Sequence, residues 1–541
     1  MVRFQGGEQD LSANAILTAN ITVNTGVLDE HKNLVSKSYF IEWIPIGTFD
    51  DSYRYTGTFN GNSHTISGLY FNNPNSLNVG LFGCIGAHGK ISNVGVLDSY
   101  FQFGAQGGGV CGINYGELQN CSNSSTVISN STYGTGTGGV CGQSYGTVRD
   151  CKNTGSVSAK GHYVGGVCGY YNYSEIGIEN CFNEGTVSGR NYVGGVCGYN
   201  EEDSKIENCF NKGTVGGEDY VGGVCGENAG TIKSCYNTAD VYGTGNCVGS
   251  VCGSGDGAVT NCYYLSGKAE DGSAVEKSEE KFASGEVAHL LAEAEGKALV
   301  EQVWGQQLGE DPYPVLYSDY KVIKAAKGDN DTYWATFSNQ TNDATLSAPS
   351  ESGRTLNVYN ATVRGGKMTL TQRSDDQVAK GEGVLLKTNG EYVNAKANEK
   401  NDLTKASSDE NHLVATPAEA TTVTAETGYI LYRLTYNDAI HKDRLGFYLG
   451  SSDGNSLKAT PGKAYLKVSE NEAKAPSSAA LTRSFVFGGG SETTGIDEIT
   501  IMGTDVQRHG TIEGIFDLQG RKISNPTKGI YIKNNKKVII K

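Results

Sequence analysis

Tyr192-Val-Gly-Gly-Val-Cys-Gly198, then Ile206-Glu-Asn-Cys209, then Asn211-Lys-Gly-Thr-Val215 is one unit of a pattern that recurs, with small changes, six times between residues 111 and 262. The first cysteines of the units are Cys111, Cys141, Cys168, Cys197, Cys225 and Cys252, which sets a period of 27 to 30 residues. The second cysteines are Cys121, Cys151, Cys181, Cys209, Cys235 and Cys262. A fixed period of this size means that each unit buries its apolar face against its neighbours, as in a solenoid. Each unit offers three short strands separated by Gly- and Asn-rich corners, which predicts a triangular parallel β-helix. Glycine belongs where a corner needs positive φ or where successive coils approach closely.

Coils stack about 4.8 Å apart, so equivalent residues should form ladders. Leu118, Val148, Ile178, Ile206, Ile232 and Val259 make one aliphatic ladder. Val127, Val157, Val187, Val215 and Val241 make another, and both are expected in the core. Asn123, Asn153, Asn183, Asn211 and Asn237 recur two residues after the second cysteine, where stacked amides can hydrogen-bond from coil to coil.

At 541 residues the chain exceeds what one core usually fills. Its 75 glycines follow the repeat rather than a collagen period, and its 31 tyrosines favour a β-rich protein. A net charge of −15 argues against a nucleic-acid partner, which would need clustered Lys and Arg. No run of 18 apolar residues is present, so no transmembrane helix is expected. The N-terminal residues also lack the apolar stretch of a secretory signal peptide. Taken literally that points to the cytoplasm, yet Met1 runs almost directly into the strand-like Ala15–Val23, as if an upstream segment were missing.

Five regions follow. Residues 1–83 read as β coils opening the solenoid, and 84–262 as the cysteine-containing repeats. Residues 263–318 form a closing segment in which Ser278 caps a helix whose apolar face carries Phe282, Val287, Leu290 and Leu291 up to Gly296. Such a helix is expected to cap the open edge of the coil stack. Residues 319–487 alternate strands and polar turns without a cysteine, which predicts a β-sandwich. Residues 488–541 comprise a Gly-rich linker and a small β domain with hairpin signals in Gly514–Ile523 and Gly529–Lys541. The predicted fold is therefore all-β: a parallel β-helix, a short helical cap, a β-sandwich and a C-terminal β domain.

The Val-Gly-Gly-Val-Cys-Gly units, with Ser234-Cys-Tyr-Asn237 and Asn261-Cys-Tyr263, resemble the GLUG-motif repeats of bacterial surface proteins. Trp43-Ile-Pro-Ile-Gly47, Gly57-Thr-Phe-Asn-Gly-Asn62, Ile66-Ser-Gly-Leu69 and Val79-Gly-Leu-Phe-Gly83 resemble the segment that opens such arrays. Ser284-Gly-Glu-Val-Ala-His-Leu-Leu291, Trp304-Gly-Gln-Gln-Leu-Gly309 and Asp311-Pro-Tyr-Pro-Val-Leu316 resemble the unit that closes them. The residues from Gly514 onward are similar to the C-terminal (Por) sorting tails of type IX-like secretion. The resemblance spans most of the chain except the sandwich. It implies export to the cell surface or beyond, with no enzymatic activity and no named ligand. Cysteine stands here where the commonest repeat has valine, so the thiols need their own explanation.

The ten- to thirteen-residue spacing of the cysteine pairs does not match the tight pairs of metal sites. Disulfides suit an extracellular setting, but in-register side chains point parallel, which fits disulfide torsions poorly. In the first coil Phe82 and Val94 occupy the two cysteine positions, which favours a buried stack of reduced thiols. Cys84 and Cys247 lie outside the pattern. Glu179 and Glu207 should sit about 5 Å apart in adjacent coils, the separation used by retaining glycosidases. The same column, however, reads Arg149, Glu179, Glu207, Lys233, a surface charge ladder. Tyr163, Tyr192 and Tyr220 recur five residues before the first cysteine and make a three-rung aromatic column, a candidate platform for sugar rings or simple strand packing.

No nucleophile elbow, phosphate loop, zinc-protease motif or full calcium loop occurs, and Asp329-Asn-Asp331 is only a calcium-loop fragment. The eight histidines, at 31, 64, 88, 162, 289, 412, 441 and 509, are scattered. No metal or cofactor is therefore expected. The expected role is a monomeric, non-enzymatic surface or secreted protein that contacts an extracellular glycan, or a host or bacterial surface protein, through the solenoid flank or the sandwich. A polysaccharide-active β-helix enzyme is the alternative, and a structural spacer the third reading.

Overall fold

In a computed structural model the described residues are 9–36, 39–133, 136–172, 177–329, 331–351, 353–437, 441–474 and 484–487, with the backbone of short strands between 499 and 540. Residues 488–498, expected as a linker, lie outside them.

The repeats form a stack of parallel coils with three faces. One face carries seven parallel strands, from Phe82–Ile85 through Cys252–Ser254, and another carries nine, from Ala15–Ile16 through Ala258–Thr260. On the first, Phe82, Cys111, Cys141, Cys168, Cys197, Cys225 and Cys252 lie in register. On the second, the Leu118 to Val259 ladder runs in register. Its members are fully buried except Val259 in the last coil. The valine ladder from Val127 to Val241 is likewise in register and buried.

The asparagine ladder is the polar spine of the third face. Asn153, Asn183 and Asn211 each donate to the next asparagine's Oδ1 at 2.8 Å and to the carbonyl two residues on. Each Oδ1 in turn accepts the preceding amide and the N–H two residues on, so both donors and both lone pairs are used. The Gly-Gly pair of the motif follows from this spine. A Cβ on Gly195 would lie 2.3 Å from the Asn211 carboxamide carbon and 2.1 Å from the Gly223 carbonyl.

Each first-column thiol donates to the carbonyl two residues ahead, at 2.9 Å for Cys111 and 3.2 Å for Cys197. Each second-column thiol donates to the carbonyl two residues behind, at 3.1 Å for Cys151 and 3.2 Å for Cys209. All twelve are buried but Cys252, which is half-buried. Burial pushes the Cys141, Cys181, Cys197 and Cys209 thiols well above the ordinary cysteine pKa.

The closing segment differs from the expected end cap in two ways. Gly285, at φ 91°, breaks the helix into α1 (Glu279–Ala283), capped by Ser278, and α2 (Glu286–Glu295). The pair lies along the flank of the coils instead of across their open end. The physical reason is a second aromatic ladder, Phe182, Phe210 and Tyr236, stacked at 4.7 and 5.1 Å, which is too apolar to leave in water. Phe282, Leu291 and Trp304 bury Phe210, Tyr236 and Tyr263. At the end of the stack Asp271 accepts from the Val251 and Cys252 N–H groups at 2.7 and 2.8 Å, blocking part of the free edge.

The sandwich region has three stacked sheets, one more than a simple sandwich. The middle sheet, with Tyr333–Ser338, Gly383–Thr388 and Leu356–Arg364, packs one face on a four-stranded sheet around Val393 and the other on a five-stranded sheet around Tyr432 and Phe447. Ile499–Met502 adds a parallel strand beside Lys367–Gln372. Both C-terminal hairpins form, in one four-stranded antiparallel sheet. Among the described residues no helix is long and apolar enough to cross a membrane.

Candidate functional site

Val164, Val193 and Val221 point into the core, so the residue before each turns outward at a corner. Those residues are Tyr163, Tyr192 and Tyr220, held at φ 58°, 57° and 57°. The left-handed region strains a bulky side chain by ~1–3 kcal/mol and is ordinarily glycine's. Gly136 occupies it one coil earlier, with φ 69°. The other left-handed corner carries Asn93, Asn120, Asp150, Asn180, Asn208, Ser234 and Asn261, all but Ser234 residue types that tolerate it. Asn78, Gln106 and Cys247 hold the place of the tyrosines in the other coils at φ 56°, 54° and 62°, so that corner is left-handed throughout and the three tyrosines are its bulkiest occupants.

Their rings stack, at 5.0 Å for Tyr163 on Tyr192 and 4.7 Å for Tyr192 on Tyr220. A second column missed in the sequence stands beside them. Tyr170 and Tyr199 stack at 5.6 Å with planes 4° apart. They meet the first column edge to face, at 5.5 to 5.9 Å and 70° to 82°. Tyr145 and Tyr115 extend the band, with Arg54 over the Tyr115 ring at 4.2 Å. The visible signal was tyrosine two residues after Cys168 and Cys197 and four after Cys111 and Cys141. All seven rings are half-buried, so each offers part of its surface to solvent. A carboxylate rim adjoins them. The Tyr170 hydroxyl donates to Glu201 Oε1 at 2.6 Å. Burial, with Asp256 and Glu201 nearby, raises the Glu227 pKa above the usual carboxylate value.

The paired carboxylates are placed differently. Glu179 and Glu207 are register neighbours, but Arg149 holds Glu179 at 3.2 Å and Lys233 holds Glu207 at 2.7 Å. That is the expected charge ladder, with each carboxylate neutralised from its own side. Cys84 is buried, its thiol pushed up to about 12 by desolvation, whereas Cys247 is exposed. Asn330 of the calcium-loop fragment lies outside the described residues. Among those residues no group of three or more His, Cys, Asp or Glu is arranged to hold a metal.

Residues 189–216 match the family model of the GLUG motif. The solenoid carries a GLUG repeat. The matched residues hold Tyr192, Cys197, Glu207 and Asn211, that is, one rung of each column described above. The GLUG solenoid is also similar to a protein of Evansella cellulosilytica described as a Gly-rich membrane protein, 37% identical over 83 residues. That alignment covers 15% of this chain and 9% of the relative. A second relative, halomucin of Haloquadratum walsbyi, is 35% identical over 86 residues, 16% of this chain and 1% of the relative. The chain thus spans a small part of each. A solved structure from Bacteroides ovatus, described as an immunoglobulin A1 protease, aligns over 57% of this chain and 86% of its own at 20% identity, with a TM-score of 0.34. That value is too low to transfer fold or activity.

Proposed function

We propose that this is a non-enzymatic surface or secreted repeat protein whose solenoid contacts an extracellular glycan through the tyrosine band. The observation that carries the reading is the row of stacked, half-buried rings of Tyr163, Tyr192 and Tyr220 at a left-handed corner of the coils. The rings stay half-buried despite their mutual stacking, and a row of rings with hydroxyl edges suits sugar recognition. The GLUG repeat and the names of the two relatives, a membrane protein and halomucin, support display outside the cell. The similarity of the last residues to sorting tails supports the same address. The neutralised Glu179 and Glu207 weigh against a glycosidase pair.

Two measurements test this. Protease shaving of intact cells should remove the protein, and a strictly cytoplasmic location sinks the export reading. On a glycan array the full chain should bind, and a variant with all three tyrosines changed to alanine should lose at least tenfold in affinity. Unchanged binding, or no glycan bound at all, leaves the solenoid as a spacer.

A further inference from the structure

A cavity of about 410 Å³ opens in the sandwich region, between the middle sheet and the five-stranded sheet. It falls in the range of roughly 300–1,000 Å³ typical of small-ligand sites. Its charge is opposite to that of the molecule. The chain has 59 acidic against 44 basic residues, yet the wall carries Lys324, Arg433, Lys458 and Lys463 and no Asp or Glu. Lys324 pairs with Glu391 at 3.4 Å. Among the described residues no ion pair engages Arg433, Lys458 or Lys463, so three cations converge without a partner. Arg433 and Lys458 are exposed at the mouth, and Lys463 is half-buried. Burial holds the Lys463 ammonium below the ordinary lysine pKa despite the field of Glu293.

The remaining wall is too large and too apolar for a bare inorganic ion. Tyr436, Tyr465, Trp334, Leu434 and Leu445 line it. Trp334 is held in place by stacking on Phe487 at 4.2 Å. Aromatic walls accept the apolar face of a sugar ring, and unpaired cations accept a carboxylate or sulfate. We infer that this cavity binds an anionic saccharide, a sugar ring carrying a carboxylate or sulfate group. The site is separate from the tyrosine band and does not depend on it.

The test is calorimetric titration of the full chain with trigalacturonate, a sulfated heparin-type disaccharide and neutral galactotriose. At least one anionic sugar should bind roughly tenfold or more tightly than the neutral one, and should weaken as salt rises. The two anionic probes tell carboxylate from sulfate recognition. The double substitution Arg433→Gln with Lys458→Gln, on exposed side chains, should keep the fold and cut that affinity at least tenfold. The tyrosine triple variant should leave it unchanged. Equal binding of neutral and anionic sugars, no binding of either anionic probe, or affinity unmoved by the double substitution would overturn the assignment. Loss of binding in the tyrosine variant alone would overturn it too, while leaving the proposed role of the band intact.

Discussion

Asn183 shows how one side chain can hold two coil boundaries. Its amide donates to Asn211 and to the Gly185 carbonyl, and its oxygen accepts from Asn153 and the Gly185 N–H. Truncation strands buried donors and acceptors on three residues, and each buried polar group left unpaired costs about 1–3 kcal/mol. Asn183→Ala should therefore lower unfolding stability by ~3 kcal/mol, while Thr154→Ala, at an exposed position of the neighbouring corner, should change it by under ~0.5 kcal/mol. Denaturant melts of the two variants check this. The spine was legible because asparagine recurs two residues after the second cysteine. The strain of Tyr163, Tyr192 and Tyr220 was not, since φ is a property of the corner and leaves no mark in residue identity.

At the level of elements, the closing segment is the part whose character was readable and whose placement was not. Ser278 as N-cap and the apolar residues of the helical stretch were apparent from spacing, but the break at Gly285 into α1 and α2 was not. Where that face docks depends on the Phe182, Phe210 and Tyr236 column, whose apolar area exists only once the coils are stacked. Trp304 is the clamp. It is fully buried, 5.5 Å from the Tyr236 ring, and its indole N–H donates to Asn208 Oδ1 at 3.2 Å. Trp304→Ala should cost about 3–5 kcal/mol of local stability. Hydrogen exchange should rise across residues 279–316 while the solenoid strands stay protected. Equal loss of protection in both would show that the segment and the coils fold as one unit.

Across the whole molecule the twelve ladder thiols act as core. Burial raises the pKa of Cys141, Cys181, Cys197 and Cys209, so the unfolded chain releases those four protons first as pH climbs past the ordinary cysteine value of 9.0. Stability contributed by keeping these thiols protonated is present below that value and declines above it. Alkylation of the native protein at pH 8 should thus label the exposed Cys247 rapidly and the buried ladder only after unfolding. In denaturant without reductant all 14 cysteines should react. A count of two, rising to 14 only after reduction, would mean that the ladder is disulfide-bonded.

The repeat by itself determined the parallel β-helix, its period, the two aliphatic ladders and the asparagine spine. A spacing of 27 to 30 residues leaves equivalent positions nowhere to go except on top of one another. Only the tertiary structure decided which tyrosines share a surface, where the helices dock and how cations gather in the sandwich cavity. Tyr163, Tyr170 and Tyr199 meet across a corner, and Arg433, Lys458 and Lys463 line one cavity from separate segments of the chain. Contacts of that kind follow from how faces fold against each other, which one-dimensional spacing does not encode.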